Sequence, residues 1–301
     1  MSGYPESVTI TESSSRDGLQ SLGAFVPTED KAGLIDDLAT TGLTSFDAVS
    51  FVSPKWVPQM ADGAEVVQAV STPGLRLIGL VPNMRGLEDA VAAGLTDVAV
   101  LASASDTFSE RNINATVDEA MHRIRRIVLD SPETLTFRAY ISTATHCPYE
   151  GEQDPDWVAH LAETMFEWGV QEIFLGETTG MGTPAHVSRL LDEVLDRVPV
   201  ESLGVHFHDT YGQGVANTVA ALKRGIDKMD GSAGGLGGCP YAPGASGNVA
   251  TEDLIWLLHG LGIPHGVDGP AVAGIARSFC EDQGLKYNSR AGTAMLAATS
   301  S

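Results

Sequence analysis

Short β-rich runs alternate with longer stretches of helical periodicity along the whole of this chain. The β runs fall at residues 8–12, 44–50, 75–81, 97–102, 136–142, 172–176, 203–208 and 228–232. Helical patterns occur at 29–40, 86–93, 116–129, 155–168, 184–197, 211–223 and 251–261. Thr28, after Pro27, reads as the N-cap of the first helix. Eight β-then-α units without a compositional break predict a parallel sheet, and eight such units close as a (β/α)8 TIM barrel of the α/β class. Such barrels run to about 250 residues as one domain, so residues 1–301 are expected to form a single catalytic domain. The barrel is expected over about 8–262, and a short C-terminal helical extension over 263–301. That extension carries a helical pattern at 271–283 and small residues at 297–301 that read as a frayed end.

The charge balance narrows the partners. Eighteen Lys and Arg face 39 Asp and Glu, a formal net charge of −21. A surface this acidic repels phosphate backbones and anionic bilayers, so no nucleic acid and no membrane is expected. The same charge reads as high solubility or as adaptation to a salty cytoplasm. No window approaches the ~18 uninterrupted apolar residues of a membrane span. The opening MSGYPESVTITESSSRDG has neither a basic nor an apolar leader region, so no signal peptide is expected. Three cysteines, Cys147, Cys239 and Cys280, are too few and too odd in number for a disulfide framework, which points to reduced thiols and a cytoplasmic protein.

Active sites of such barrels form from the loops at the C-terminal ends of the strands. Polar residues cluster there in this chain. Arg16 and Asp17 follow the first β run, and Asp47 lies near the end of the second. Cys147 follows the fifth, Glu177 and Thr178 follow the sixth, and His206 and His208 end the seventh. Two histidines two apart on a strand share a face, and paired imidazoles suit a divalent metal. H-x-H alone is as often structural. Asp17 and Asn248 add oxygen donors from other loops. The set Asp17, His206, His208 and Asn248 therefore reads as a site for Mg²⁺ or Mn²⁺, and less clearly for Zn²⁺. The glycine run from Gly234 to Gly238 lacks the G-K-[ST] of a P-loop and sits too late for a dinucleotide fingerprint. It is either a flexible connection or a mobile lid that carries the Cys239 thiol over the pocket.

Six stretches stand out: RDGLQ from Arg16, SFVSPKWVPQM from Ser50, CPYEG from Cys147, VHFHDTYGQ from Val205, and GLGGCPY from Gly235, followed by GASGN ending at Asn248. Together they resemble the 3-hydroxy-3-methylglutaryl-coenzyme A lyase family of metal-dependent barrel lyases and condensing enzymes. The resemblance implies that Asp17, His206, His208 and Asn248 hold the metal, that Arg16 stabilises an enolate on the thioester oxygen, and that Cys239 transfers a proton. It implies that Asp17 or His206 takes the proton of the substrate's tertiary hydroxyl, and that Glu12 supports the site. Around the acyl-CoA substrate it implies Glu12, Gln20, Asp47, Ser50, Lys55, Arg138, Glu177 and Thr178. It further implies a homodimer, and acetoacetate and acetyl-CoA as products.

The chain departs from the family pattern around the substrate. Asp47 stands where Glu is usual, and Leu175-Gly176-Glu177-Thr178 stands for L-G-D-T. The two changes are opposite in length and would compensate if both carboxylates faced one pocket. Phe174 stands where a small polar residue is common, and Leu22 and Gly23 replace an acidic residue and a lysine. A retained metal shell inside an edited ring keeps other readings open: a lyase for citramalyl-CoA or a 3-hydroxy-3-alkylglutaryl-CoA, an acetyl-CoA condensing enzyme, or a non-catalytic barrel. Cys280 reads as a buried apolar residue, and Cys147 as that or a site residue. Trp56 and Lys55 read as pocket wall and coenzyme contact, or as a buried ring and a solvated charge. Asp209 reads as an orienting residue or helix cap, and Tyr211 as a core residue. No role is expected for His122, His160, His186, His259 or His265.

Overall fold

A computed structural model describes residues 3–238 and 247–299. Eight parallel strands close into a barrel: β1 (Thr9–Glu12), β2 (Ser45–Ser50), β3 (Arg76–Leu80), β4 (Asp97–Ser103), β5 (Thr136–Ser142), β6 (Glu172–Glu177), β7 (Leu203–Phe207) and β8 (Lys228–Gly231). Each strand pairs with its sequence neighbour, and β8 closes on β1 from Thr9↔Lys228 to Glu12↔Gly231. These strands are covered on both faces, so most of their residues are buried whether apolar or polar. All six residues of β2 are buried. Ile78, Leu80, Ala99, Tyr140 and Phe174, from β3 to β6, form an apolar cluster of their own, separate from the larger core.

The helices are α1 (Thr28–Ala39), α2 (Gly63–Ala69), α3 (Met84–Ala92), α4 (Asp106–Ile113), α5 (Val117–Leu129), α6 (Pro155–Glu167), α7 (Pro184–Leu195), α8 (Gly214–Leu222), α9 (Thr251–Leu261), α10 (Gly269–Asp282) and α11 (Arg290–Thr299). A capping box of Thr116 and Glu119 starts α5. Thr28 is not the cap of α1; Pro27 holds that position without a side-chain bond, and the Thr28 hydroxyl donates to Asp62 at 2.7 Å instead. The expected fraying at 297–301 is corrected as far as Thr299, because Ala-rich α11 packs on α9 and α10. The Ser289 hydroxyl and the Ala291 N–H both donate to Asp253, which ties α11 to the first turn of α9. Tyr211 is 63% exposed and so is not a core residue. Cys280 is buried, as expected.

Candidate active site

The chain leaves β1 through one turn of π-helix, Ser14–Gly18, a local form that recurs at functional sites. Glu12 anchors this turn from below. Its carboxylate accepts from the Ser14 N–H at 2.9 Å, the Ala233 N–H at 2.9 Å and the Thr251 hydroxyl at 2.6 Å. One buried side chain thus braces the ends of β1 and β8 and the start of α9, and burial raises its carboxyl. Glu12 is a support, in a position separate from the cleft.

Above it, Arg16 is held between two carboxylates. Its Nη1 donates to Asp17 at 2.6 Å, while Nε (2.8 Å) and Nη2 both donate to Asp47. Burial opposes the guanidinium charge, but Asp47 and Asp17 outweigh it and hold Arg16 charged. Its carbon centre lies 5.8 Å from the centroid of the Tyr140 ring.

His206 and His208, at the end of β7, have ring centroids 5.4 Å apart. The Nδ1 of His206 lies 3.0 Å from Asp230 Oδ2, and its Nε2 lies 3.8 Å from Asp17 Oδ2. Burial works against a charged His206, but the bond to Asp230 and the charge of Asp17 carry it above its usual value. Burial and the neighbouring His206 push His208 down to about 4, so it is neutral near pH 7. Asp17 is itself buried, but Arg16, His206 and His208 hold its carboxyl well below the usual carboxylate range. Asn248 donates from Nδ2 to Asp17 Oδ2 at 2.9 Å and to the Leu236 carbonyl at 3.1 Å. Gly237 permits this approach: its φ is +130°, and a Cβ there would meet Asn248 Nδ2 at 2.6 Å.

Asp17, His206 and His208 offer ligand atoms that all lie within 4.8 Å of one another. Asn248 Oδ1 and His208 Nδ1 are buried without hydrogen-bond partners, which is costly unless something else engages them. A carboxylate, two imidazoles and an amide oxygen are a donor set for a divalent cation. The residues present therefore fit a metal ion. Asp230 supplies the carboxylate–histidine contact that fixes the ring of a metal-binding histidine. It was not anticipated, although a charged residue at an interior position of the last strand was a readable signal.

A cleft of about 620 Å³ opens beside this cluster, lined by Asp17, Gln20, Ser53, Trp56, Arg123 and Gly238 among others. Trp56 is 81% exposed on its wall, whereas Lys55 is exposed and not part of the lining. Ser50 is buried at the end of β2 with its hydroxyl unpartnered. Thr178 accepts the Thr143 N–H at 2.9 Å. Glu177 accepts from Thr145 (3.2 Å), Thr179 (2.9 Å) and the Gly182 N–H (3.1 Å), so it braces its own loop. Asp47 and Glu177 have no partner in common, and the expected compensation between them finds no shared contact. Arg138, expected at the substrate, lies instead in the barrel interior, 2% exposed. It pairs with Glu172 at 2.8 Å and Asp230 at 3.4 Å, and stacks 3.9 Å from the Phe174 centroid. Arg138 is the third of the seven residues of β5, four positions before the strand's C-terminal end. Cys147 is buried, with Sγ 3.0 Å from the Ser105 hydroxyl. Asp209 accepts the N–H of Gly214, the first residue of α8, at 2.8 Å, while Gln213 holds the cap position. Cys239 lies outside the described residues.

A closed parallel barrel with Asp17, His206, His208 and Asn248 gathered at the C-terminal ends of its strands defines a (β/α)8 barrel whose mouth carries side chains that fit a metal ion. The family model described as HMGL-like matches residues 7–278, and the chain belongs to that family. It is 45% identical over 300 residues to the 3-hydroxy-3-methylglutaryl-CoA lyase, cytoplasmic, of Rattus norvegicus, covering 99% of this chain and 88% of the rat protein. It is similar to the crystal structure of hydroxymethylglutaryl-CoA lyase from Pseudomonas aeruginosa, with a TM-score of 0.95, 44% identity and coverage of 98% and 99%. It is also similar to an HMG-CoA lyase structure from Acinetobacter baumannii in complex with coenzyme A and 3-methylmalate, with a TM-score of 0.92, 36% identity and coverage of 98% and 97%.

Proposed function

We propose that this chain is a carbon–carbon lyase that cleaves 3-hydroxy-3-methylglutaryl-CoA to acetoacetate and acetyl-CoA. The observation that carries the reading is the cluster of Asp17, His206 and His208 beside the doubly anchored Arg16, next to an open cleft. Asp17, His206, His208 and Asn248 would hold Mg²⁺ or Mn²⁺, which would polarise the tertiary hydroxyl and lower its pKa. Asp17 or His206 would receive the hydroxyl proton, and the contact of His206 Nδ1 with Asp230 supports an oriented ring. The O–H pair becomes the ketone of acetoacetate, and the electrons of the broken carbon–carbon bond move into the thioester enolate. Arg16, held charged and already oriented, stabilises that enolate oxygen. Cys239 returns a proton to the enolate carbon; this assignment rests on the GLGGCPY resemblance. The coenzyme follows the cleft past Gln20, Ser53 and Trp56.

The same reading makes residues 1–301 one catalytic unit, acting as a homodimer in the cytoplasm. Packing of α10 and α11 on α9 supports the single unit. Among the described residues no helix is long and apolar enough to cross a membrane. The test is direct. Purified chain with Mg²⁺ or Mn²⁺ should release acetoacetate and acetyl-CoA in equal amounts from this thioester. Formation of neither, with metal incorporation verified by elemental analysis, would overturn the reading. Chelation should abolish the activity and Mn²⁺ should restore it; turnover by protein shown to be metal-free would overturn the metal assignment.

A further inference from the structure

A second group of potential ligands lies outside the pocket described above. After β5 the chain makes a two-stranded hairpin, His146–Cys147 against Gly151–Glu152, in which His146 and Glu152 are direct antiparallel partners. His186 stands in the first turn of α7, which follows β6. The His146 and His186 rings meet edge to face with centroids 4.6 Å apart. His186 Nε2 is 3.9 Å from a Glu152 carboxylate oxygen. One donor atom from each of the three residues falls within 4.8 Å of the others. None of the three lines the cleft.

We propose that His146, Glu152 and His186 form a second metal site, selective for a borderline transition ion such as Zn²⁺. Two imidazoles and one carboxylate favour Zn²⁺, Ni²⁺ or Cu²⁺ over Mg²⁺. His146 has the environment of a ligand: its Nδ1 is buried without a partner. Burial and the adjacent His186 also push this imidazole below its ordinary value and keep it neutral. His186 has a fixed outer contact, because its Nδ1 is 2.9 Å from the Thr183 hydroxyl. With the proton on Nδ1 and donated to that hydroxyl, Nε2 presents its lone pair to the ion, as in other metal-binding histidines. This tautomer gives up the 3.1 Å contact from the Thr183 N–H to Nδ1, at a half-buried position. Glu152 is held by Arg189, whose side chain is 58% exposed and can swing into water when the carboxylate turns to the ion. A water completes a tetrahedron. The ion would clip the hairpin after β5 to the first turn of α7. It would thereby join two loops that already meet through Thr145 and Glu177.

Equilibrium dialysis of the full chain against micromolar Zn²⁺ in millimolar Mg²⁺, followed by elemental analysis, tests the proposal. The unmodified protein should retain one zinc more per chain than His186→Ala or His146→Ala, with folding of each variant checked by circular dichroism. Asp17 and His208 remain intact in both variants, so zinc at the first pocket cancels in the difference. Equal zinc counts in the variants and the parent overturn the proposal. Crystals of the unmodified chain soaked in Zn²⁺ give a readout free of substitutions. Anomalous signal at the zinc edge between His146 and His186 supports the site, and its absence there overturns it.

Discussion

His206 is served by two carboxylates, one on each ring nitrogen, and they have different tasks. Asp17 stands with it at the proposed metal site, whereas Asp230 touches only the far side of the ring. Removing an outer partner of this kind weakens metal binding by about 10–100-fold. Asp230→Asn should therefore raise the Mn²⁺ concentration needed for half-maximal activity by that order, with most of kcat recovered at saturating metal. A Mn²⁺ titration of activity checks this, and an unshifted titration would show that Asp230 does not orient the ring. Arg16 poses a separate test. Its planar fork donates to Asp47 through two nitrogens and to Asp17 through a third, which a lysine cannot reproduce. Arg16→Lys should lower kcat by about 10²–10³ while KM changes little, since charge on the enolate develops after binding. Steady-state kinetics at saturating metal measures the split. The two histidines were legible in the sequence because strand alternation puts residues two apart on one face. Asp230 carried a signal as a charge on the last strand, but its pairing with His206 was not legible, because the two meet across neighbouring strands from 24 positions apart. Motif likeness gave Arg138 no height along its strand, whereas the structure sets it in the barrel interior, paired with Glu172 and Asp230.

Among the elements, the first turn of α9 carries a buried carboxyl. Glu252 lies there fully buried, accepting the Gly234 N–H at 3.0 and 3.1 Å and the Tyr287 hydroxyl at 2.9 Å. Burial raises its carboxyl to about 7, against the pull of these hydrogen bonds. A carboxyl that titrates higher folded than unfolded favours the fold in its protonated form. That contribution is complete below pH 4.5 and is lost as pH rises through about 7. Its size is on the order of 3 kcal/mol, from about 1.4 kcal/mol per pH unit of displacement. Glu252→Gln should therefore gain stability over the parent as pH rises from 5 to 8, by up to that order. Urea unfolding across the range measures it; parallel curves for the two proteins would exclude the titration. The short elements show where sequence periodicity fails. The seven residues of α2, the eight of α4 and the two-residue hairpin strands hold too few turns or alternations to be read, and packing decides them. The hairpin matters most, since it alone brings Glu152 opposite His146. By contrast the fifth strand was legible to the residue, because Thr136, Phe137, Tyr140 and Ile141 are strong β formers within one short run.

The barrel as a whole was legible from the count of its β–α units, since closure follows from eight of them, but the charge it carries acts on a scale that no contact records. A net charge of −21 is spread over a single chain, and self-repulsion of that size destabilises the compact state. Surface pairs such as Arg224–Asp192 and Arg189–Glu152 act in the opposite sense. Each exposed pair is worth about 0–1 kcal/mol and is screened by the same salt. With 18 cationic side chains against 39 anionic ones, most carboxylates have no cation to meet, so repulsion is the larger effect. Raising ionic strength from about 0.1 M to about 1 M shortens the screening length from ~10 to ~3 Å. Added NaCl at pH 7.5 should therefore raise the melting temperature, by about 2–6 °C if screening recovers about 1–2 kcal/mol. Salt also strengthens apolar burial at any charge, so the discriminating measurement is the same titration near pH 4.5, where the chain's charges balance. There the gain should collapse; a salt effect of equal size at both pH values would show that burial, and not repulsion, sets the response.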